Sequence, residues 1–287
     1  MQGKLIICPT PIGNLGDMTP RALEALRSAD AVCAEDTRVT GKLLAALGVE
    51  GKRLERLDEN VIAERCEGIL ERVRQGETIA YCSDAGMPGV SDPGMRLVRA
   101  ARESGVPVEV LPGPTAVATA YVASGCIKDT FYFGGFLPRK EAARKSTLEA
   151  LKGLDAALIF YESPNRLVSA LKSINDTLPN RPLAVCRELT KLHEEVARGT
   201  AAELLADFGS RDAVKGEIVL VIDAPTEDER KTEAADASDS ARARAAELAT
   251  AGERPKSIAK TIAAEFGIPR NEAFAIALEI SNDRSAG

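Results

Sequence analysis

The stretch YCSDAGMPGVSDPG, from Tyr81 to Gly94, constrains this chain most. A short apolar run, Thr78 to Cys82, leads into it, and a helix pattern leads out. Between them stand three glycines, two prolines and two aspartates. A strand, a small-residue loop and a capped helix make a βα unit. In an open α/β sheet, ligands bind just past the carboxyl end of such a strand. Asp92 before Pro93 predicts an N-cap followed by a first-turn proline. Gly86, Gly89 and Gly94 permit tight turning and close approach of backbone to a ligand. A well-made turn with no ligand satisfies the same pattern, so the other loops have to decide.

The pattern repeats along the chain. Strands are expected at Lys4–Cys8, Ala31–Ala34, Arg53–Leu57 (weakly), Thr78–Cys82 and Val106–Leu111, each followed by a helical segment. Strands alternating with helices predict right-handed βαβ units and a parallel sheet. A second unit follows residue 116. It has strands at Thr130–Phe136, Ala156–Tyr161, Leu183–Cys186, Glu194–Arg198 and Glu217–Asp223. Two of these adjoin with no helix between them, which predicts a mixed sheet. The expected division is an N-terminal α/β domain over 1–116, a C-terminal α/β domain over 117–224, an acidic flexible linker over 225–239 and a helical appendage over 240–287. In the last, KSIAKTIAAEFGIPRNEAFAIALEI reads as helix, break at Gly267-Ile268-Pro269, and helix. A helix-turn-helix and a helical hairpin packed for stability or dimerisation fit it equally.

Net charge is −6, which at first opposes a nucleic-acid partner. Asp223 to Asp239 alone carries seven acids and two bases, however, so the remainder is nearly neutral and can still present a basic face. Six cysteines stand at 8, 33, 66, 82, 126 and 186 without a CxxC pair, which points to buried reduced thiols rather than zinc. No apolar run approaches the length of a membrane span. The opening MQGKLIIC has no secretory layout, so a cytoplasmic location is expected. His193 is the single histidine, which rules out a histidine-rich metal centre.

Five loops follow strand ends: Pro9–Asp17, Glu35–Arg38, Ser83–Asp92, Pro112–Ala116 and Glu162–Arg166. Jointly they can line one crevice. Neither GxxxxGK(S/T) nor GxGxxG is present, so an ordinary nucleotide-binding Rossmann site is disfavoured. Asp84 and Asp92 are either an acid–base pair or turn-forming caps, and the glycines around them favour the second. His193, alone in TKLHEE, is more often solvated than functional. The basic run Arg139, Lys140, Arg144, Lys145 is ordinarily a solvated helix face. Beside aromatics and past a strand end it also has the look of a nucleic-acid platform.

Taken in order, PTPIGNLGDMTPRAL, AEDTR, SDAGMPGVSDPG, LPGPTA, ESPNRL and CRELTKLHEEVARGT resemble the 16S rRNA (cytidine-2′-O)-methyltransferases of the tetrapyrrole-methylase superfamily. The resemblance covers about residues 4–224, and the tail resembles the family's helix-turn-helix appendage. It implies two α/β domains with S-adenosylmethionine in the cleft between them, a homodimer, and the ribose of a decoding-region cytidine in 16S rRNA or the small ribosomal subunit as acceptor. By motif, it implies cofactor contacts at Ile12, Gly13, Ser83, Asp84, Ala85, Val90, Thr115, Ala116, Glu162, Leu189 and Gly216. No metal is required. A catalytic cluster of Lys191, His193 and Glu194 is expected from their place in a motif loop. Arg38 and Arg166, with Arg139, Lys140, Arg144 and Lys145, are expected to meet RNA. Where the family often has a His-rich segment with Asn-Glu after the third strand, this chain has Leu57-Asp58-Glu59-Asn60-Val61. The competing readings are a same-fold methyltransferase with a tetrapyrrole or diphthine-type protein acceptor, and a non-catalytic RNA-binding or ribosome-assembly protein.

Overall fold

The computed structural model describes residues 3–285. In its first half, β1 (Lys4–Ile7), β2 (Ala31–Ala34), β3 (Arg53–Arg56), β4 (Thr78–Cys82) and β5 (Val108–Val110) form a sheet in the order β3-β2-β4-β1-β5. All its pairings are parallel. Helices α1 (Pro20–Ser28), α2 (Thr37–Ala46), α3 (Ile62–Arg74) and α4 (Gly94–Glu103) make the crossovers. Helices cover both faces of the sheet, so the inner strands β2, β4 and β1 are almost continuously apolar, whereas the edge strands β3 and β5 are partly exposed and carry charges. Leu5, Ile7 and Tyr81 pack into one core with Leu70 and Leu97; Ile6, Cys8 and Cys82 pack into the other with Leu26 and Leu44. Each fully buried Leu or Ile stabilises by roughly 1.5–3 kcal/mol. The register therefore cannot slip by a residue without exchanging the two cores.

α5 (Ala116–Ala123) leads to the second sheet. It comprises β6 (Phe131–Phe136), β7 (Ala157–Glu162), β8 (Pro182–Arg187), β9 (Glu195–Thr200) and β10 (Ile218–Ile222), in the order β6-β7-β10-β8-β9. β6 and β7 are parallel, and the other pairings are antiparallel. Three helices connect these strands: α6 (Glu141–Leu151), α7 (Leu167–Thr177) and α8 (Ala201–Gly209). The chain divides into two compact units. One takes in the chain through Glu149 together with Ala156–Asp223, so both sheets share it; the other holds Ala150–Asp155 and the chain from Ala224 on.

The stretch expected to be a flexible acidic linker is instead the start of α9 (Glu227–Thr250). Thr226 and Glu229 form a reciprocal capping box, and Glu227, Asp228 and Glu229 lie in the first turn, where the helix dipole favours negative charge. Its later turns bury Ala241, Ala245 and Ala249 against Ile258, Ile262 and Ile276. These come from α10 (Pro255–Phe266) and α11 (Arg270–Ser285). Gly267, with φ of 66°, closes α10 at the expected break. The tail is thus a three-helix unit rather than a linker and a helix pair.

Candidate functional site

Loop Pro9–Asp17 ties the site together. Thr10 and Gly86 exchange two backbone hydrogen bonds, at 3.0 and 3.1 Å, which zip this loop to the one after β4. A Cβ on Gly113 would lie 2.3 Å from Cγ of Pro9, so the loop after β5 also packs directly on it. On the other side, a Cβ on Gly13 would lie 2.4 Å from Cγ of Lys191. Glycine is required at both places because backbone and neighbour are already in contact.

These loops, the end of β7 and the start of β10 enclose a cavity of about 460 Å³. Ile12, Ser83, Asp84, Ala85, Val90, Thr115, Ala116, Glu162 and Gly216 all line it. Those are nine of the eleven residues expected at a cofactor. Gly13 and Leu189 lie behind the wall: Leu189 is buried in one cluster with Ile12, and Gly13 packs on the 189–191 segment. Glu35, Phe136, Tyr161, Glu217 and Val219 also line the cavity and were not singled out from sequence. Glu217 and Val219 belong there because β10 inserts between β7 and β8, a strand order that local pattern does not encode.

The carboxylates of the site differ in their surroundings. Asp92 is a structural cap: its Oδ1 accepts from the Gly94 N–H (2.8 Å) and the Tyr81 hydroxyl (3.3 Å), and its Oδ2 from the Gly89 N–H (2.7 Å). With those bonds made, α4 begins at Gly94 and Pro93 takes the cap position, one residue later than expected. Asp84 accepts from the Asp36 N–H, and burial raises its pKa. Burial also raises Glu35, with the negative Asp84 and Asp92 adding to the effect. Glu162 is buried and accepts from the Ser163 N–H (2.7 Å) and Arg166 (3.0 Å); burial raises its pKa against the pull of those donors.

The segment after β8 is strained. Glu188 and Thr190 have φ of 51° and 66°, the positive φ values of non-glycine residues among those described. Lys191 holds it, donating to Glu188 (2.7 Å) and Glu217 (3.1 Å). Burial works against the ammonium, but the two carboxylates outweigh it and its pKa is raised. Lys191 is therefore a fixed cation rather than a base. Glu194 accepts from the Thr190 N–H, and His193 is exposed. None of the three expected catalytic residues lines the cavity; Lys191 reaches it through Glu217.

The expected RNA-facing residues separate as well. Arg139 and Lys140 are exposed. Arg38 is exposed and paired with Asp36. Arg144 is a correction: it is buried, donating to the Ser173 hydroxyl (2.9 Å) and the Ser169 carbonyl (3.0 Å), and cannot meet RNA. The helical spacing that placed it beside Lys145 also turns it inward. Lys145 is half-buried between Glu141 and Asp176, and Arg166 is held by Glu162 and the Leu137 carbonyl. No group of His, Cys, Asp and Glu among the described residues is arranged to hold a metal ion.

Two joined α/β sheets with a loop-built cavity at the strand ends define a methylase-type fold. The solved structure of a diphthine synthase matches with a TM-score of 0.62, covering 80% of this chain and 94% of that one at 15% identity, a likeness of fold alone. The chain belongs to the Tetrapyrrole (Corrin/Porphyrin) Methylases, whose family model matches residues 4–205, and within them to the ribosomal RNA small subunit methyltransferase I family. It is 41% identical over 272 residues to the protein of that name from Micromonospora olivasterospora, covering 94% of this chain and 84% of the other. It is 38% identical over 282 residues to the one from Synechocystis sp., covering 98% and 99%.

Membership makes the chain a methyltransferase with S-adenosylmethionine as methyl donor. The residues present fit that molecule. α5 starts at the cavity wall with no side-chain cap on Thr115, leaving first-turn N–H groups for a carboxylate. Asp84, Glu162 and Glu217 suit an ammonium, a sulfonium or ribose hydroxyls, and Ile12, Val90 and Val219 supply apolar wall for a base. The volume is within the range of small-molecule sites, about 300–1,000 Å³.

Proposed function

We propose that this protein methylates the 2′-oxygen of a cytidine in the decoding region of 16S rRNA, acting in the cytoplasm as a homodimer. One observation carries the reading: nine motif residues from separate loops converge on a single cavity, in a chain about 40% identical along its length to ribosomal RNA small subunit methyltransferases I.

When bound, S-adenosylmethionine supplies a sulfonium-activated methyl group. The protein's work is then alignment and exclusion of water, and alignment of this kind is worth roughly 7–11 kcal/mol. The start of α5 holds the carboxylate end. Ser83, Asp84 and Ala85, with Ile12 and Val90, hold the body, and Glu162 and Gly216 form the far wall. Gly13 and Leu189 act from behind by fixing the loop. Lys191 is read as a positioning residue that fixes Glu217; His193 and Glu194 complete its loop. Arg38, Arg139 and Lys140, which are exposed, are read as the cations that meet phosphates, while Arg166 is held by Glu162 and the Leu137 carbonyl.

The dimer has support in α5, which is mostly apolar and leaves Val122 exposed, in Ile127, exposed in the loop that follows, and in Phe131 and Tyr132, half-exposed on edge strand β6, where Phe131 packs on Tyr121 of α5. Sedimentation of Val122→Asp against the parent checks it: the parent is expected to be a dimer and the variant a monomer. The three-helix tail is read as an RNA-facing appendage.

The acceptor is tested by supplying labelled S-adenosylmethionine with three substrates: unmodified small ribosomal subunits, a tetrapyrrole, and a histidine-modified protein of the diphthamide type. Label is expected in the subunits alone. Label in either of the others would overturn the RNA reading, and cofactor binding with no transfer to any acceptor would favour a non-catalytic assembly protein.

A further inference from the structure

Beside the main cavity lies a second one of about 380 Å³. Glu35, Val90, Ser91 and Asp92 line both, and Glu59, Gly89 and Pro93 line the second alone. Three carboxylates therefore face the second cavity, and two are committed. Both oxygens of Asp92 accept backbone or hydroxyl hydrogens. Glu59 is paired with Arg96 at 2.8 Å. Glu35 accepts from the Asp84 N–H, and among the described residues no cation pairs with it. It stands at the carboxyl end of β2, next to β4, at the wall common to the two spaces.

We propose that the second cavity receives the acceptor nucleoside and that Glu35 is a catalytic residue, taking the proton of the ribose 2′-hydroxyl. This rests on the function proposed above. The hydroxyl oxygen forms its new bond to the methyl carbon as its proton passes to the Glu35 carboxylate. The carbon–sulfur bond breaks, and its electron pair stays on sulfur, which becomes a neutral thioether. The single positive charge lost from sulfur leaves as the proton on Glu35, which solvent then removes.

The surroundings suit the role. Burial, then Asp84, Asp92 and Asp58, push the Glu35 carboxyl above its ordinary 4.5, while the Asp84 N–H opposes them. Glu59, which lines the same cavity and is paired with Arg96 of α4, is the other charged group at that wall. A carboxylate with a raised pKa is a stronger base and still ionises as pH rises. Transfer should therefore increase with pH through the raised Glu35 pKa and level off above it.

The test compares parent, Glu35→Gln and Glu35→Asp in single-turnover transfer to unmodified small subunits at saturating S-adenosylmethionine, from about pH 5 to pH 9. Cofactor affinity is read separately by calorimetry, and folding by thermal melting. Glu35→Gln is expected to lose about 10²–10⁴-fold in rate and to lose the low-pH limb, with cofactor affinity unchanged within about threefold. Glu35→Asp should keep part of the rate with its limb displaced. The proposal is overturned if Glu35→Gln keeps the parent rate and limb, or if its lost rate is matched by lost cofactor affinity. Should Glu35→Gln fail to fold, an unshifted limb in Glu35→Asp overturns it equally. If the parent itself transfers nothing to subunits, the proposed function falls and this inference with it; if the parent is active and Glu35→Gln equals it, this inference alone falls.

Discussion

Gly216 shows how much one residue can carry. Its φ is 95°, and a Cβ there would lie 2.4 Å from Glu188. Glu188 in turn accepts from the Glu217 N–H and from Lys191, so the glycine sets the wall that Glu217 presents. Gly216→Ala should cost about 1–3 kcal/mol in urea unfolding and weaken cofactor binding measured by calorimetry. Unchanged stability would mean that the 188–191 segment gives way freely. Arg144 makes the opposite point. Arg144→Ala leaves the Ser169 carbonyl and the Ser173 hydroxyl with only their mutual 3.2 Å hydrogen bond and should cost about 2 kcal/mol. Arg139→Ala and Lys140→Ala should leave the melting temperature unchanged and instead lower RNA affinity with a shallower salt dependence. Sequence could not separate these residues, because four cations within seven positions leave open which one a helix turns inward. Glu35 was legible only as part of a loop; its isolation from cations is a property of the folded neighbourhood.

At the scale of elements, the strands were the most legible feature. All ten described strands lie within a residue or two of the runs that predicted them; the signal is strongest in β1, β2, β4, β7, β8 and β10, where burial leaves little freedom in composition. What local pattern did not hold was order: β10 pairs with both β7 and β8, and this brings Glu217 to the cavity. α9 was misread because an acidic, Ala-rich stretch resembles a linker until its capping box and its buried alanine face are considered together. The β8–β9 pair offers a further test. Arg211 chiefly, with Arg187, holds the Glu195 carboxyl down to about 2, against the ordinary 4.5. A lowered carboxyl contributes stability that is full above its unfolded value and is lost as pH falls toward the folded one. Glu195→Gln should therefore destabilise the protein near neutrality by about 1–2 kcal/mol after screening by solvent. The difference should shrink between pH 4.5 and 2 in acid titrations followed by circular dichroism. A difference independent of pH would remove the ion pairs from the account.

For the whole molecule, both sheets belong to one compact unit, and the cavity is built within it, whereas the three-helix tail has its own core. A chain ending at Asp223 should bind S-adenosylmethionine with nearly unchanged affinity in calorimetry, and any loss on shortening should appear in transfer to subunits. The central claim is the atom methylated, and alkaline hydrolysis reads it most directly. A 2′-O-methyl group removes the nucleophile that cleaves the neighbouring phosphodiester, so 16S rRNA labelled by this enzyme should yield its label in an alkali-stable dinucleotide beginning with 2′-O-methylcytidine. Label released as an ordinary mononucleotide, with the methyl group on a base, would contradict the account.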